Sequence, residues 1–232
     1  MNLPKEITPD NIKDSIIEFR INYSLPYESV LGILLKDILK NKIYENVSSN
    51  NELNIPKIGS RNYLFYNENI KFQLSPNSLV INCFREYITW KKFFPEIKKI
   101  IALLSSVDSD IYLNRIGLRY VSEYVNNDLS KILNFKFSFS QNDIKSNRFS
   151  FSSEFDFEGS SVILSLKNQM PYNNTENKLS HIDIDVSKRD VKISILNENL
   201  LLDYLQEIHI QEKKIFFGLL KKEHLQSLNP KY

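Results

Sequence analysis

Between residues 15 and 125 the spacing of apolar side chains switches from every second residue to helical spacing and back, twice over, and few folds accommodate that order. In "SIIEFRINYS" (15–24), Ile17, Phe19, Ile21 and Tyr23 face one way while Ile16, Glu18, Arg20 and Asn22 face the other, the pattern of a strand with one buried side. "PYESVLGILLKDILKNKIY" (26–44) then sets Val30, Leu31, Leu34, Leu35, Ile38 and Leu39 on a helical stripe, with Pro26 at its entry. After a polar loop (46–60), the runs 61–67, 69–75 and 78–86 read as a strand meander joined by Asn- and Pro-containing turns. "TWKKFFPEIKKIIALLSSV" (89–107) is a second amphipathic helix, with Pro95 either in its early turns or at a junction of two helices. Residues 111–125 close this half as a strand. The order predicts a ferredoxin-like α+β N-terminal half with an extra strand.

The remainder alternates at period two in 131–140, 147–158, 160–169, 180–188 and 190–197. Hairpin turns are expected at Glu158-Gly159 and Lys188-Arg189-Asp190, and a bulge at Ser152-Ser153. The loop 168–178 reads as mobile. A long amphipathic helix over 199–219, broken near Gly218, backs this antiparallel sheet and is followed by a short helical turn. The expected domains are therefore residues 1–128, ferredoxin-like, and residues 129–232, an antiparallel sheet with its C-terminal helix.

A net charge of +2, divided evenly about residue 128, gives neither half the basic surface of a duplex-DNA binder. The single cysteine, Cys83, excludes an internal disulfide and sits in the apolar run "SLVINCF", where an inert buried thiol is expected. The N-terminus has no apolar core of a signal peptide, and no apolar run reaches the ~18 residues of a membrane span. A soluble, cytoplasmic protein is expected.

Two polar constellations stand out. In "LNRIGLRYVSEY" (113–124), alternation puts Arg115, Gly117, Arg119 and Glu123 on one face. Two guanidinium groups about 13 Å apart would flank a backbone bare of side chain at Gly117. Either the arginines pair with Glu18 and Glu123 in a polar seam, or their planar forks capture a carboxylate or phosphate from outside. On the second reading Glu18, Arg20, Arg115, Gly117 and Arg119 form a partner- or ligand-binding face. In "HIDIDV", His181, Asp183 and Asp185 share a face, which makes Asp183 and Asp185 weak metal candidates. The three span about 13 Å, too far to chelate one ion from a straight strand. His209 edges the apolar stripe of the last helix and reads as a packing histidine.

With five glycines and no GxSxG, HExxH, GxxxxGK[ST] or GxGxxG, the chain shows no nucleophile elbow, zinc motif or phosphate cradle, and no cofactor or catalytic residue is expected. Nucleic acid is the weakest partner reading, because the aromatic positions of an RNA-recognition strand are missing from "RIGLRYVSEY". The leading reading is a non-enzymatic protein that binds a protein partner or a small anionic ligand, and a homodimer is compatible with it. A metal-dependent enzyme acting on nucleotides or nucleic acid is the alternative.

"IIEFRI", "YITWKKFFPEIKKII" followed by "NRIGLRYV", then "HIDIDV" and "LQEIHIQEKKIFFGLLKKEHLQSLNP" together resemble a sporadically distributed, uncharacterised prokaryotic protein family. The resemblance covers about residues 15 to 230, and its most specific element is the RxGxRY strand. It implies a prokaryotic cytoplasmic protein. The patchy distribution implies antiviral defence or toxin and antitoxin loci, and the family carries no catalytic residues to transfer.

Overall fold

The structure, a computed structural model, describes residues 3–41, 44, 46–49, 63–83, 86–135, 138–139, 142–143, 148–172 and 175–232. Of the polar loop expected over 46–60, residues 46–49 are instead a strand, and 50–60 lie outside the described residues, as do the parts of other expected elements at 42–43, 61–62, 84–85, 136–137, 140, 147 and 173–174.

The chain is a mixed α/β protein with an antiparallel sheet and a long C-terminal helix. It divides into two compact units, neither of them a sequential half. The larger comprises Asp14–Leu118 and Ser187–Glu207; the smaller comprises Met1–Lys13, Arg119–Val186 and Ile208–Tyr232.

In the larger unit, β1 (Ile12–Asn22) leads into α1 (Tyr27–Asn41) and the strands β2 (Asn46–Ser49), β3 (Tyr63–Tyr66), β4 (Ile70–Ser75) and β5 (Ser78–Cys83). Helix α2 (Trp90–Val107) then leads to β6 (Tyr112–Val125). The strands lie in the order β2-β3-β4-β5-β1-β6. β1 pairs antiparallel with β5, Ile17 opposite Ile81. The expected alternation along β1 is realised: Ile17, Phe19 and Ile21 are at most 2 % exposed, while Glu18 is half-buried and Arg20 open. Val30, Leu34 and Ile38 of α1 join Phe93, Ile97, Ile100 and Leu104 of α2 in the same core. Each such side chain contributes about 1.5–3 kcal/mol by leaving water. Pro95 sits inside one continuous α2, just past its first turn, where its missing N–H leaves one helical bond unmade.

The smaller unit holds the later part of β6, the helical turn α3 (Leu129–Ile132), the short β7 (Ser138–Phe139) and β8 (Asn142–Asp143), then β9 (Phe149–Phe157), β10 (Ser160–Pro171) and the first part of β11 (Lys178–Ser194). Its strand order is β6-β11-β10-β9. Helix α4 (Glu198–Leu219) and the short α5 (Lys222–Ser227) complete the chain. Among the described residues, no helix is long and apolar enough to cross a membrane.

Four further local expectations need correction. Residues 129–132 form a helical turn where a strand from 131 was expected, because the Asp128 side chain caps the Ser130 amide and Asn168 Oδ1 takes the Leu129 amide. The expected hairpin at 188–190 is absent. β11 runs straight through, absorbing left-handed residues at Asp190 and Lys192, while the Lys188 amine is held by Glu207 at 2.7 Å. β9 has no bulge: its pairing with β10 is unbroken from Phe149 to Phe157, with Ser153 in line with the phenylalanines. Finally, α4 continues through Gly218 to Leu219. The Glu158-Gly159 turn is as expected, both residues left-handed (φ 48° and 77°), which matches the twist of a two-residue hairpin.

Candidate functional site

Strand β6 carries the predicted arginines, and it is buried on both faces over part of its length. Buried positions run Ile111, Leu113, then Ile116, Gly117, Leu118, Tyr120, Ser122 and Tyr124, so both faces are covered at Leu113 and Ile116 to Leu118 and only one beyond Arg119. Arg115, Arg119, Val121 and Glu123 fall on the less buried face, as their spacing predicted.

In the larger unit the bare backbone at Gly117 is already occupied. A Cβ built there would lie 2.9 Å from Nη1 and 3.1 Å from Cζ and Nη2 of Arg115. The guanidinium of Arg115 therefore lies over the glycine, in the place where an external ligand was expected. That same group donates from Nη1 to Glu18 Oε2 at 2.7 Å. Arg20 reaches Oε1 of the same carboxylate at 2.9 Å. Two guanidinium groups converge on one carboxylate, and their exposure differs: the Arg115 side chain is 19 % exposed, that of Arg20 49 %. Arg115 is a packed member of the sheet face, whereas Arg20 extends into solvent.

In the smaller unit Arg119 meets Asp183. Its Nε and Nη2 donate to Oδ1 and Oδ2 at 2.8 and 2.7 Å, the bidentate fork that planar guanidinium geometry favours. The Arg119 side chain is nevertheless 47 % exposed. Glu123 instead stands 3.6 Å from His181 Nδ1. The expected seam is thus realised for Arg115 with Glu18, while Arg119 takes Asp183 from β11. Asp183 has both oxygens engaged by a cation, so a metal there would have to displace the guanidinium. Asp185 follows on the same face, half-buried. Among the described residues, no group of three or more His, Cys, Asp or Glu side chains could hold a metal ion.

Sequence reasoning missed a buried polar cluster beneath α4 in the smaller unit. His209 Nδ1 lies 3.4 Å from the Tyr120 hydroxyl, and Gln211 and Glu212 beside it are 1 % and 5 % exposed. Burial drives the His209 imidazole down to about 3, with Lys213 adding to the effect, so it is neutral at pH 7 and has the packing role expected of it. Burial pushes the Glu212 carboxyl up to about 8, Lys213 opposing and Asp10 adding. The available signal was spacing: Glu212 follows Ile208 and His209 on the apolar stripe. In the larger unit, burial likewise pushes the Cys83 thiol up to about 11, which leaves no appreciable thiolate near neutrality and fits the inert thiol predicted.

No protein-family model and no curated protein matches the chain.

Proposed function

We propose that this chain is a non-enzymatic interaction protein that captures a protein partner through outward-facing arginines, Arg20 in the larger unit and Arg119 in the smaller. The observation that carries this reading is the Arg119 fork. It is fixed by both oxygens of Asp183, so little side-chain entropy remains to be lost on binding, yet nearly half of its surface stays open to a partner's carboxylate or backbone oxygen. Arg20, held through Glu18 and equally open, offers the same chemistry. Arg115 takes the structural role of bracing Glu18.

Two finer readings accompany this one. The order β4-β5-β1-β6, with α1 and α2 as the connections, supports a ferredoxin-like arrangement for the larger unit. Membership in the RxGxRY family is supported by a physical role for its motif residues. Gly117 leaves room for the Arg115 guanidinium, and Arg119 binds the first aspartate of "HIDIDV", so two elements of the resemblance meet. A place in a bacterial defence or toxin and antitoxin system belongs to the same proposal and rests on that resemblance.

The test is co-purification from the native host using tagged wild type, Arg119→Ala and Arg20→Ala. The proposal expects a partner that is retained by wild type, weakened in each variant and released by added salt, with melting temperatures within about 3 °C because exposed ion pairs contribute only ~0–1 kcal/mol. Equal retention by all three proteins would refute it. A thermal-shift series with inorganic phosphate separates the small-anion version, which predicts a rise in Tm that Arg20→Ala removes.

A further inference from the structure

We propose that residues 5–11 form a strap closed over the buried carboxyl of Glu212, and that loss of the Glu212 proton lifts this strap while the sheet of the smaller unit stays folded. Strap, sheet and Glu212 all belong to that unit.

The strap is held at its two ends by hydrogen bonds. At the first end the Lys5 amide donates to the Lys231 carbonyl at 2.6 Å, the Lys231 amide to the Glu6 carbonyl at 2.9 Å and the Thr8 amide to the Leu228 carbonyl at 2.7 Å. An exposed ion pair between Lys231 and Glu6, at 3.3 Å, accompanies them. At the other end the Asn11 carbonyl accepts the Glu123 amide of β6 at 2.9 Å. Apolar burial adds little, because none of residues 5–11 is buried. A segment fastened by exposed hydrogen bonds, with few apolar contacts, opens more easily than the core it lies on.

Beneath the strap is an acid without a counter-charge. Glu212 is 5 % exposed on α4, and among the described residues no hydrogen bond or ion pair reaches its carboxyl. The charge of Asp10 bears on Glu212 and on the Tyr124 phenol alike, and the Asn11 side chain hydrogen-bonds with that phenol, so strap, α4 and β6 meet at this point. A carboxylate here would be desolvated and uncompensated, and the closed form therefore keeps the proton, burial pushing the carboxyl up to about 8. Lifting the strap admits water and returns the group towards its ordinary 4.5. Opening thus releases a proton. It is favoured as pH rises from 4.5 to about 8, by at most about tenfold per unit, and levels off above that.

The groups around Glu212 leave this window to it. The His209 imidazole, set against Tyr120, is already neutral, and burial keeps the Tyr124 phenol protonated. Lys213 favours the Glu212 anion, Asp10 opposes it, and Lys5 on the strap repels Lys213. Neither Arg20 nor Arg119 takes part, so the outcome is independent of the proposed partner capture.

Amide hydrogen exchange of the full chain from pH 5.5 to 7.5, corrected for the intrinsic rate, tests the strap. The Lys5, Thr8 and Lys231 amides should lose protection about five- to tenfold per pH unit, and at every pH the amides of β10 should remain better protected than they are. Glu212→Gln keeps every neighbouring group and removes the proton, so its strap protection should be flat across the range. Strap protection in the wild type that does not change with pH, a slope that persists in Glu212→Gln, or strap amides as well protected as those of β10 would each overturn the proposal.

Discussion

Substituting Glu212 by glutamine should make the protein more stable at alkaline pH while leaving it nearly unchanged at pH 5. Glu212 is 5 % exposed on α4, and burial raises its carboxyl from an ordinary 4.5 to about 8, so the folded state keeps a proton that the unfolded chain releases between those values. The unfolded state binds fewer protons in that window, so the contribution of this residue falls as pH rises, by about 1.4 kcal/mol per unit. Between pH 4.5 and 7 that amounts to roughly 3 kcal/mol, and above pH 8 the loss levels off. Water penetration and relaxation around the carboxylate reduce the figure, so on the order of 2–3 kcal/mol is expected at pH 7. For a chain of this length that is a difference of about 4–12 °C in Tm. Glutamine matches the protonated acid in shape and cannot ionise. Melting wild type and Glu212→Gln at pH 5, 6.5 and 8 should show a gap that opens progressively in favour of the variant. A gap that stays constant from pH 5 to 8 would refute the assignment of a buried, protonated carboxyl.

Removing the buried imidazole of His209 should act in the opposite direction: its depressed value means stability is lost as pH falls from 6.5 towards 3, so the melting curve of Glu212→Gln should decline on the acid side of 6.5, and the part of that decline above the carboxylate range should disappear when His209→Asn is added. Arg115→Ala should cost about 1–3 kcal/mol, because it uncovers Gly117 and strips Glu18 of its packed partner, whereas Arg119→Ala should cost less than ~1 kcal/mol, and urea titration of the two variants distinguishes these roles. Asp108, 4 % exposed, accepts the Ser24 hydroxyl and amide together with the Leu25 and Asp110 amides; burial works against its charge, but those donors outweigh it and hold the carboxyl below the ordinary range. Asp108→Ala should therefore cost about 2–4 kcal/mol at pH 7, an effect that shrinks as pH falls through the carboxyl's range.

Much of the larger unit was legible because β1, α1 and α2 each carry one period and bury one face. Ile17, Phe19 and Ile21 on β1, and Phe93, Ile97 and Ile100 on α2, are core residues where spacing put them. Reading failed where a short-range polar device overrode pattern. Asp128 and Asn168 turn 129–132 into helix although the following residues alternate like a strand. Lys188-Arg189-Asp190 resembles a turn in composition, yet left-handed backbone at Asp190 and Lys192 is absorbed without reversing the chain. At the candidate site, face membership was readable and pairing was not. Nothing in "RIGLRY" indicates that Arg115 folds over Gly117, or that Arg119 takes Asp183, because cross-strand partners depend on sheet order and register. Glu212 escaped notice because a charged residue near an apolar stripe normally extends to solvent.

The central claim, that Arg119 is held by Asp183 so as to face a protein partner, is tested most directly by exchanging the two residues. Arg119→Asp combined with Asp183→Arg keeps an ion pair between β6 and β11 but moves the guanidinium to the other strand. The account predicts a double variant whose Tm lies within about 3 °C of wild type and which no longer retains the partner that wild type co-purifies. Retention of that partner at wild-type strength by the folded double variant would contradict it.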